Sequence, residues 1–302
     1  MFIKTEVSGE AGAAVAKSLK LHFTARIPSA KLKLANNGED RCDGMCGLPD
    51  DVLYFNRVFY YGVRAISMRT NEIFPDDFIK FQPKLIPVWR MIFDTHSETL
   101  LIVEMASKEV GYNMLSLRRD NDKWVQVSSI PTGIQSVVTA LGVCGSLVLL
   151  GTMLSNKIYE FELNSDHTLR RFGMSFHKDL IFNFACTRID KDNYVALSHF
   201  ESVSVHRILA NLQLEPLACI NLMDCWELLF RGDKLLIAAK HEGTDAHTII
   251  SYRVSGNGFS EKRLLFDSNA GIHVFKWCFS GDRLVVWDNE SNDLLIYVCE
   301  TA

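Results

Sequence analysis

The sequence predicts an all-β protein, a single closed β-propeller built from four-stranded antiparallel blades. Three observations carry this. A strand–turn–strand unit recurs along the chain. Each recurrence is followed by a third alternating strand and often a fourth. The last unit has only three strands before the chain stops at Ala302. The first apolar residue of each second strand falls at Val58, Leu100, Leu147, Tyr194, Leu235 and Leu284, so the successive spacings are 42, 47, 47, 41 and 49 residues. A period of roughly 40–50 residues with four strands per unit marks a propeller blade.

Residues 1–18 read as a flexible N-terminal arm, and residues 19–302 as the propeller. The arm's small-residue patch, AGAAVA (11–16), follows Glu6 and Glu10, which does not suit a secretory leader. LKLHFTARI (19–27) alternates as a strand should and is the best candidate to complete the last unit, with FIKTEV (2–7) second. A strand lent by the N-terminus would close the ring and cover the exposed backbone edge. The recurring hairpins are FNRVFYYG (55–62), DTHSETLLIV (94–103), VCGSLVLLG (143–151), IDKDNYVAL (189–197), FRGDKLLIA (230–238) and FSGDRLVVW (279–287). Gly, Asn and Asp at their tips supply the positive φ or self-capping of tight reversals. Third strands follow at 63–69, 112–119, 156–163, 202–208, 248–254 and 293–299, and fourth strands at 123–130, 168–176, 215–222 and 261–266. Six repeats are visible, but 302 residues divided by a mean period near 45 gives just under seven. Seven blades are therefore expected, with six as the alternative.

The blade pattern from about residue 50 onward resembles the WD-repeat class, in degenerate form. The one Trp-Asp pair, Trp287-Asp288, ends the second strand of the last unit, and no Gly-His pair opens a blade. A narrower resemblance lies in SLVLLGTMLSNKIYEFEL and DKDNYVALSHFESVSVHRI. These look like two consecutive blades of the large propeller proteins of the damaged-DNA-binding and polyadenylation-factor type. That resemblance implies a subunit of a nucleic-acid-processing complex.

Composition narrows the functional classes. Apolar residues make up 48% and charged residues 23%, enough for a large core. No apolar run is long enough to span a membrane. The net charge of -4 offers no basic field, so direct nucleic-acid binding is not expected. Most of the eight cysteines sit in apolar strand-like runs and read as reduced thiols, which places the protein in the cytoplasm or nucleus.

Sites of chemistry are sparse. There is no nucleophile elbow, no phosphate-binding glycine loop and no dinucleotide fingerprint, so no catalytic residue and no cofactor is expected. Cys42 and Cys46 offer two thiolates of a metal site, but a structural zinc site takes four ligands. His241 and His247 bracket an acidic loop that could hold a cation. Arg231-Gly232-Asp233 falls where a blade hairpin needs its turn. His199 and His206 are seven residues apart on two strands, and nothing in the sequence brings them together. The five tryptophans lie in or beside strands, where aromatics pack between blades. The long connections are 36–51 and 71–87, and in the second Phe74 and Phe78 are candidate partner-docking residues. The reading is a non-enzymatic protein-interaction scaffold that binds partners through its face and rim loops. The alternatives are a divalent-metal-dependent, lactonase-like hydrolase with its site in the channel, and the complex subunit named above.

Overall fold

A computed structural model describes residues 19–32, 42–55, 63–74, 88–107, 109–121, 123–153, 155–222, 225–240, 247–266, 274–288 and 290–301. These residues form six antiparallel sheets. Blade one comprises β2 (Gly44–Gly47), β3 (Asp51–Phe55) and β4 (Arg64–Ser67), extended by a bridge from Ile66 to Ile73. Blade two comprises β5 (Val88–Asp94), β6 (Thr99–Ser107), β7 (Gly111–Asp120) and β8 (Lys123–Pro131). Blade three comprises β9 (Val138–Cys144), β10 (Leu147–Thr152), β11 (Ser155–Leu163) and β12 (Leu169–Ile181). Blade four comprises β13 (Asn183–Ile189), β14 (Asp192–Ser198), β15 (Ser202–Ile208) and β16 (Leu214–Asn221). Blade five comprises β17 (Cys225–Arg231), β18 (Lys234–Lys240), β19 (His247–Ser255) and β20 (Gly258–Phe266). Blade six comprises β21 (Val274–Ser280), β22 (Arg283–Asp288), β23 (Leu294–Thr301) and, from the other end of the chain, β1 (Leu19–Ile27). A single helical turn, α1 (Ser29–Leu32), follows β1.

The terminal pairing is antiparallel and runs from Leu19 opposite Thr301 to Ile27 opposite Leu294, with a bulge at Phe23/Ala25. Two side-chain contacts fix its register. Thr24 Oγ1 donates to the Ile296 carbonyl at 3.0 Å, and Arg26 pairs with Asp293. This completes the last sheet as the sequence requires.

The ring has six blades, not the favoured seven. The quotient of chain length and period was misleading because β1 joins the last blade instead of opening one of its own. Residues 1–18 and Val58 lie outside the described residues. The second strand of blade one is β3, so Val52 is its first buried apolar residue, 48 residues before Leu100. The turn before it is Leu48–Asp51, closed by Leu48 N–H to the Asp51 carbonyl at 2.8 Å.

Six apolar clusters fill the six gaps between neighbouring blades, which is what a closed ring demands. Trp287, Tyr54 and Val52 pack between blades six and one. Leu53, Phe55 and Leu100 pack between one and two, and Phe161, Val148 and Met114 between two and three. Phe184, Leu149 and Leu197 fill the gap from three to four, Tyr194 and Ile237 that from four to five, and Trp277 and Leu236 that from five to six. Because each blade is covered on both sides, its middle strands are mostly buried; all six residues of β10 are buried. Burying one such aliphatic or aromatic side chain is worth roughly 1.5–3 kcal/mol. The hairpin turns at Gly145, Gly232 and Gly281 have positive φ, so Arg231-Gly232-Asp233 is a β17–β18 turn. Among the described residues, no helix is long and apolar enough to cross a membrane.

Candidate functional site

The inner strands β2, β5, β9, β13, β17 and β21 surround an axial channel with a cavity of about 780 Å³. Strand alternation sends every second side chain of these strands inward. Ile92, Leu141, Val143, Leu229 and Phe279 give the channel wall its apolar share, and Asn183, Thr187, Arg188 and Asp190 are among its polar residues. Polar groups gather at the third residue of three inner strands. Lys276 donates to Glu227, and both side chains are mostly withdrawn from solvent. Arg90 Nε donates to the Thr139 carbonyl at 2.8 Å, tying blade two to blade three. Asp94 also faces the channel, but it accepts from the Ser97 hydroxyl at 2.6 Å and the Ser97 N–H at 3.1 Å, capping its own hairpin.

A second polar centre lies between blades three and four. His177 from β12 stacks on His199, with ring centres 5.0 Å apart and 18° between the planes. His206 from β15 meets His177 edge to face at 5.1 Å. All three rings and Ser204 are buried. Their hydrogen bonds fix the proton positions. His199 Nδ1 lies 2.9 Å from the Leu180 carbonyl, so it carries the proton and donates. Its Nε2 then accepts from the Ser204 hydroxyl at 2.8 Å, and His206 Nε2 donates to the same oxygen at 2.9 Å. His206 Nδ1 is left as a buried lone pair with no hydrogen-bond partner among the described residues. Burial, followed by the neighbouring histidines, pushes His206 down to about 3, and the same causes lower His177. Among the described residues, His177, Asp179 and His199 are the one group of three potential metal ligands; their ligand atoms lie within 4.8 Å of one another.

The rim of blade three is the third feature. Phe172, Met174 and Phe176 on β12 are all exposed. In the ladder with β11, Met174 stands opposite Tyr159 and Phe176 opposite Lys157, with Phe172 in the bulge between Gly173 and Arg171.

The residues singled out from sequence are scattered. Cys42 and Cys46 enter different apolar clusters on opposite faces of blade one, Cys46 from within β2 rather than from a loop. Burial pushes both thiols up to about 12. None of the eight cysteines is paired. His247 begins β19, while His241 lies outside the described residues. Phe74 is half-buried against the core between blades one and two, and its N–H donates to the Ala65 carbonyl at 3.1 Å; Phe78 lies outside the described residues. Trp89, Trp124, Trp277 and Trp287 all pack in or against the cores between blades.

The histidine centre was missed, though half of it was legible. Ser204 and His206 are two apart on one strand and therefore share a face. His199 folds back onto that face through the turn closed by its own N–H to the Ser202 carbonyl at 2.8 Å. His177 comes from the neighbouring blade, and no sequence period connects it to the others.

Together these features define a six-bladed β-propeller with an axial channel of mixed polar and apolar lining and an exposed aromatic rim. No family model matches the chain, and no curated protein sequence is similar to it. A solved protein of unknown function from Desulfotomaculum acetoxidans is similar in structure, with a TM-score of 0.60 at 13% identity over 86% of this chain and 83% of that one. Hydrazine synthase from Kuenenia stuttgartiensis is similar with a TM-score of 0.56 at 10% identity over 84% of this chain and 76% of that one. At these identities the likeness is one of fold.

Proposed function

We propose that the protein is a non-enzymatic interaction scaffold, and that a partner docks on the outer strand of blade three. The observation that carries this reading is the exposure of Phe172, Met174 and Phe176, at 58%, 40% and 64%, on a single strand. β12 has 13 residues, and among the described residues it pairs only with β11 in the sheet, so it is the outer strand of blade three; the Leu169 N–H is taken by Ser128 and the Leu180 carbonyl by His199, and the exposed aromatics lie between them. Proteins usually blunt such an edge, and a long apolar one is a template for an added strand. Lys157 Nζ sits 5.9 Å from the centre of the Phe176 ring, and Arg171 lies 6.0 Å from the Tyr159 ring. Aromatic surface rimmed by cations suits an extended partner segment that mixes apolar and acidic side chains.

Replacing Phe172 and Phe176 with Ser tests the reading. Both side chains are exposed, so the variant should melt with the unaltered chain. Loss of a partner that co-purifies with the unaltered chain from its native cell supports docking at β12. Retention of every partner by a folded variant refutes it. Membership of a nucleic-acid-processing complex is a narrower form of the same proposal, and it rests on the likeness of blades three and four described above. A channel-site hydrolase draws instead on the cavity and on Asp94, Asp190 and Glu227 in its wall. Its test is a stoichiometric divalent ion that is lost when those acids are replaced by amides.

A further inference from the structure

We propose that His177, His199 and Asp179 form a binding site for a late first-row divalent ion of the Zn²⁺ class. The site lies between blades three and four and is independent of rim docking. Two imidazoles and one carboxylate are three nitrogen and oxygen donors, a set that suits Zn²⁺, Cu²⁺ or Ni²⁺ better than Mg²⁺ or Ca²⁺. A fourth position remains for water or an incoming ligand, as in open zinc sites.

The backbone fixes the tautomer of one imidazole and contacts the other from both an N–H and a carbonyl. His199 Nδ1 donates to the Leu180 carbonyl at 2.9 Å, which leaves Nε2 as the ligand atom, and an ion there displaces the Ser204 hydroxyl from which Nε2 otherwise accepts at 2.8 Å. His177 Nδ1 accepts from the Asp179 N–H at 3.2 Å and lies 3.4 Å from the Asp179 carbonyl, so an ion at its Nε2 takes the other tautomer, with Nδ1 protonated and turned to that carbonyl. A carbonyl holding the second ring nitrogen is the usual outer-shell partner of a metal-bound histidine. Both rings are buried while the aspartate is exposed at the mouth, so an ion would enter from the Asp179 side.

The ligand atoms lie within 4.8 Å of one another, whereas ligands about 2.0–2.1 Å from a tetrahedral ion are separated by roughly 3.4 Å. Binding must therefore draw them together by a little over an ångström. Asp179 can supply most of this, because its side chain is about half exposed. The neighbouring ring is incompletely satisfied as well. The cluster holds a buried lone pair, His206 Nδ1, that nothing among the described residues satisfies. Burying an unmade acceptor is costly, so the histidine cluster is not a fully satisfied core network.

The test is titration of the full chain with Zn²⁺ alone, followed by calorimetry and by metal analysis after dialysis. The unaltered protein should bind one ion that His177→Gln and His199→Gln each abolish. Asp179→Asn should weaken binding at least tenfold. Asp179 is exposed, so that variant reports binding without endangering the fold. Zn²⁺ should also raise the melting temperature of the unaltered chain and leave that of His177→Gln unchanged. Co²⁺ added to the unaltered protein should give the visible absorption of a four-coordinate ion. Equal Zn²⁺ binding by all the variants, or no binding by the unaltered chain at tens of micromolar, would overturn the proposal.

Discussion

Gly47→Ala should open the seam between the first and last blades. Gly47 ends β2, and a Cβ built on it would stand 1.6 Å from the Phe279 carbonyl oxygen and 2.4 Å from its carbon, both on β21. Carbon contacts are comfortable at about 3.5–4.0 Å, so one strand must retreat by well over an ångström. Neither can do so cheaply. β2 is held by Met45 in one core and Cys46 in the next, and β21 is held by Trp277 and Cys278. Overpacking typically costs 1–3 kcal/mol, and because both parties here are backbone we take about 3 kcal/mol. With an unfolding entropy of about 2.1 cal/mol/K per residue, 302 residues give roughly 0.63 kcal/mol/K, so Tm should fall by about 5 °C. Gly256→Ala is the control, since its Cβ would meet only the Tyr194 hydroxyl at 3.9 Å. Differential scanning calorimetry of the three proteins decides the matter. A Gly47→Ala variant that melts within a degree of the Gly256→Ala control would refute the close approach of blades one and six.

Phe184→Ala should cost about 3–5 kcal/mol, because Phe184 is buried against Gly142 and Gly151 between blades three and four; urea denaturation would show it as a lower midpoint at unchanged slope. Glu104 is buried, and burial raises its carboxyl above the ordinary value. Its folded pKa exceeds its unfolded one, so the native state is most favoured below about pH 4.5 and loses stability as pH rises through the folded value. Glu104→Gln should therefore be more stable than the parent at pH 7, and the two should converge near pH 4; a parent that gains on the variant as pH rises contradicts this sign. In thiol titration Cys219, which is exposed, should react first, and Cys42, Cys46 and Cys278 only on unfolding, since burial raises all three thiols. Early labelling of Cys42 or Cys278 would contradict the core described between blades six and one.

The sequence made the ring legible because a blade is a local object. Four strands joined by tight turns leave a period, and the period survives wherever the turns are short. That is why the third strands and the closing strand at residues 19–27 were found nearly to the residue. Blade one was misplaced because its inner hairpin turns on Leu48–Asp51, inside a stretch that reads as irregular loop, so that its second strand is β3. The blade count failed for a related reason, since a quotient cannot tell a connection from a blade. Candidate sites were less legible because they join residues from different blades. His177 and His206 are 29 residues apart yet stack edge to face. The aromatic run on β12 was visible as TLRRFGMSF, but its exposure depends on how far β12 projects beyond the core between blades two and three. No strand period encodes that distance.

The most direct test of the account is a cross-link between the two ends of the chain. In the terminal ladder Leu21 stands opposite Cys299, and both belong to the core between blades five and six. Directly opposite residues of an antiparallel pair have Cα atoms about 4.5–5.5 Å apart, within the range a disulfide spans. His22 lies one residue on, opposite Val298, and points to the other face. Leu21→Cys, oxidised at low protein concentration, should form an intramolecular disulfide seen by mass spectrometry as one peptide joining residues 21 and 299, and His22→Cys should not. If Leu21→Cys gives no such link, or if His22→Cys links to Cys299 equally well, the N-terminal strand does not close the ring.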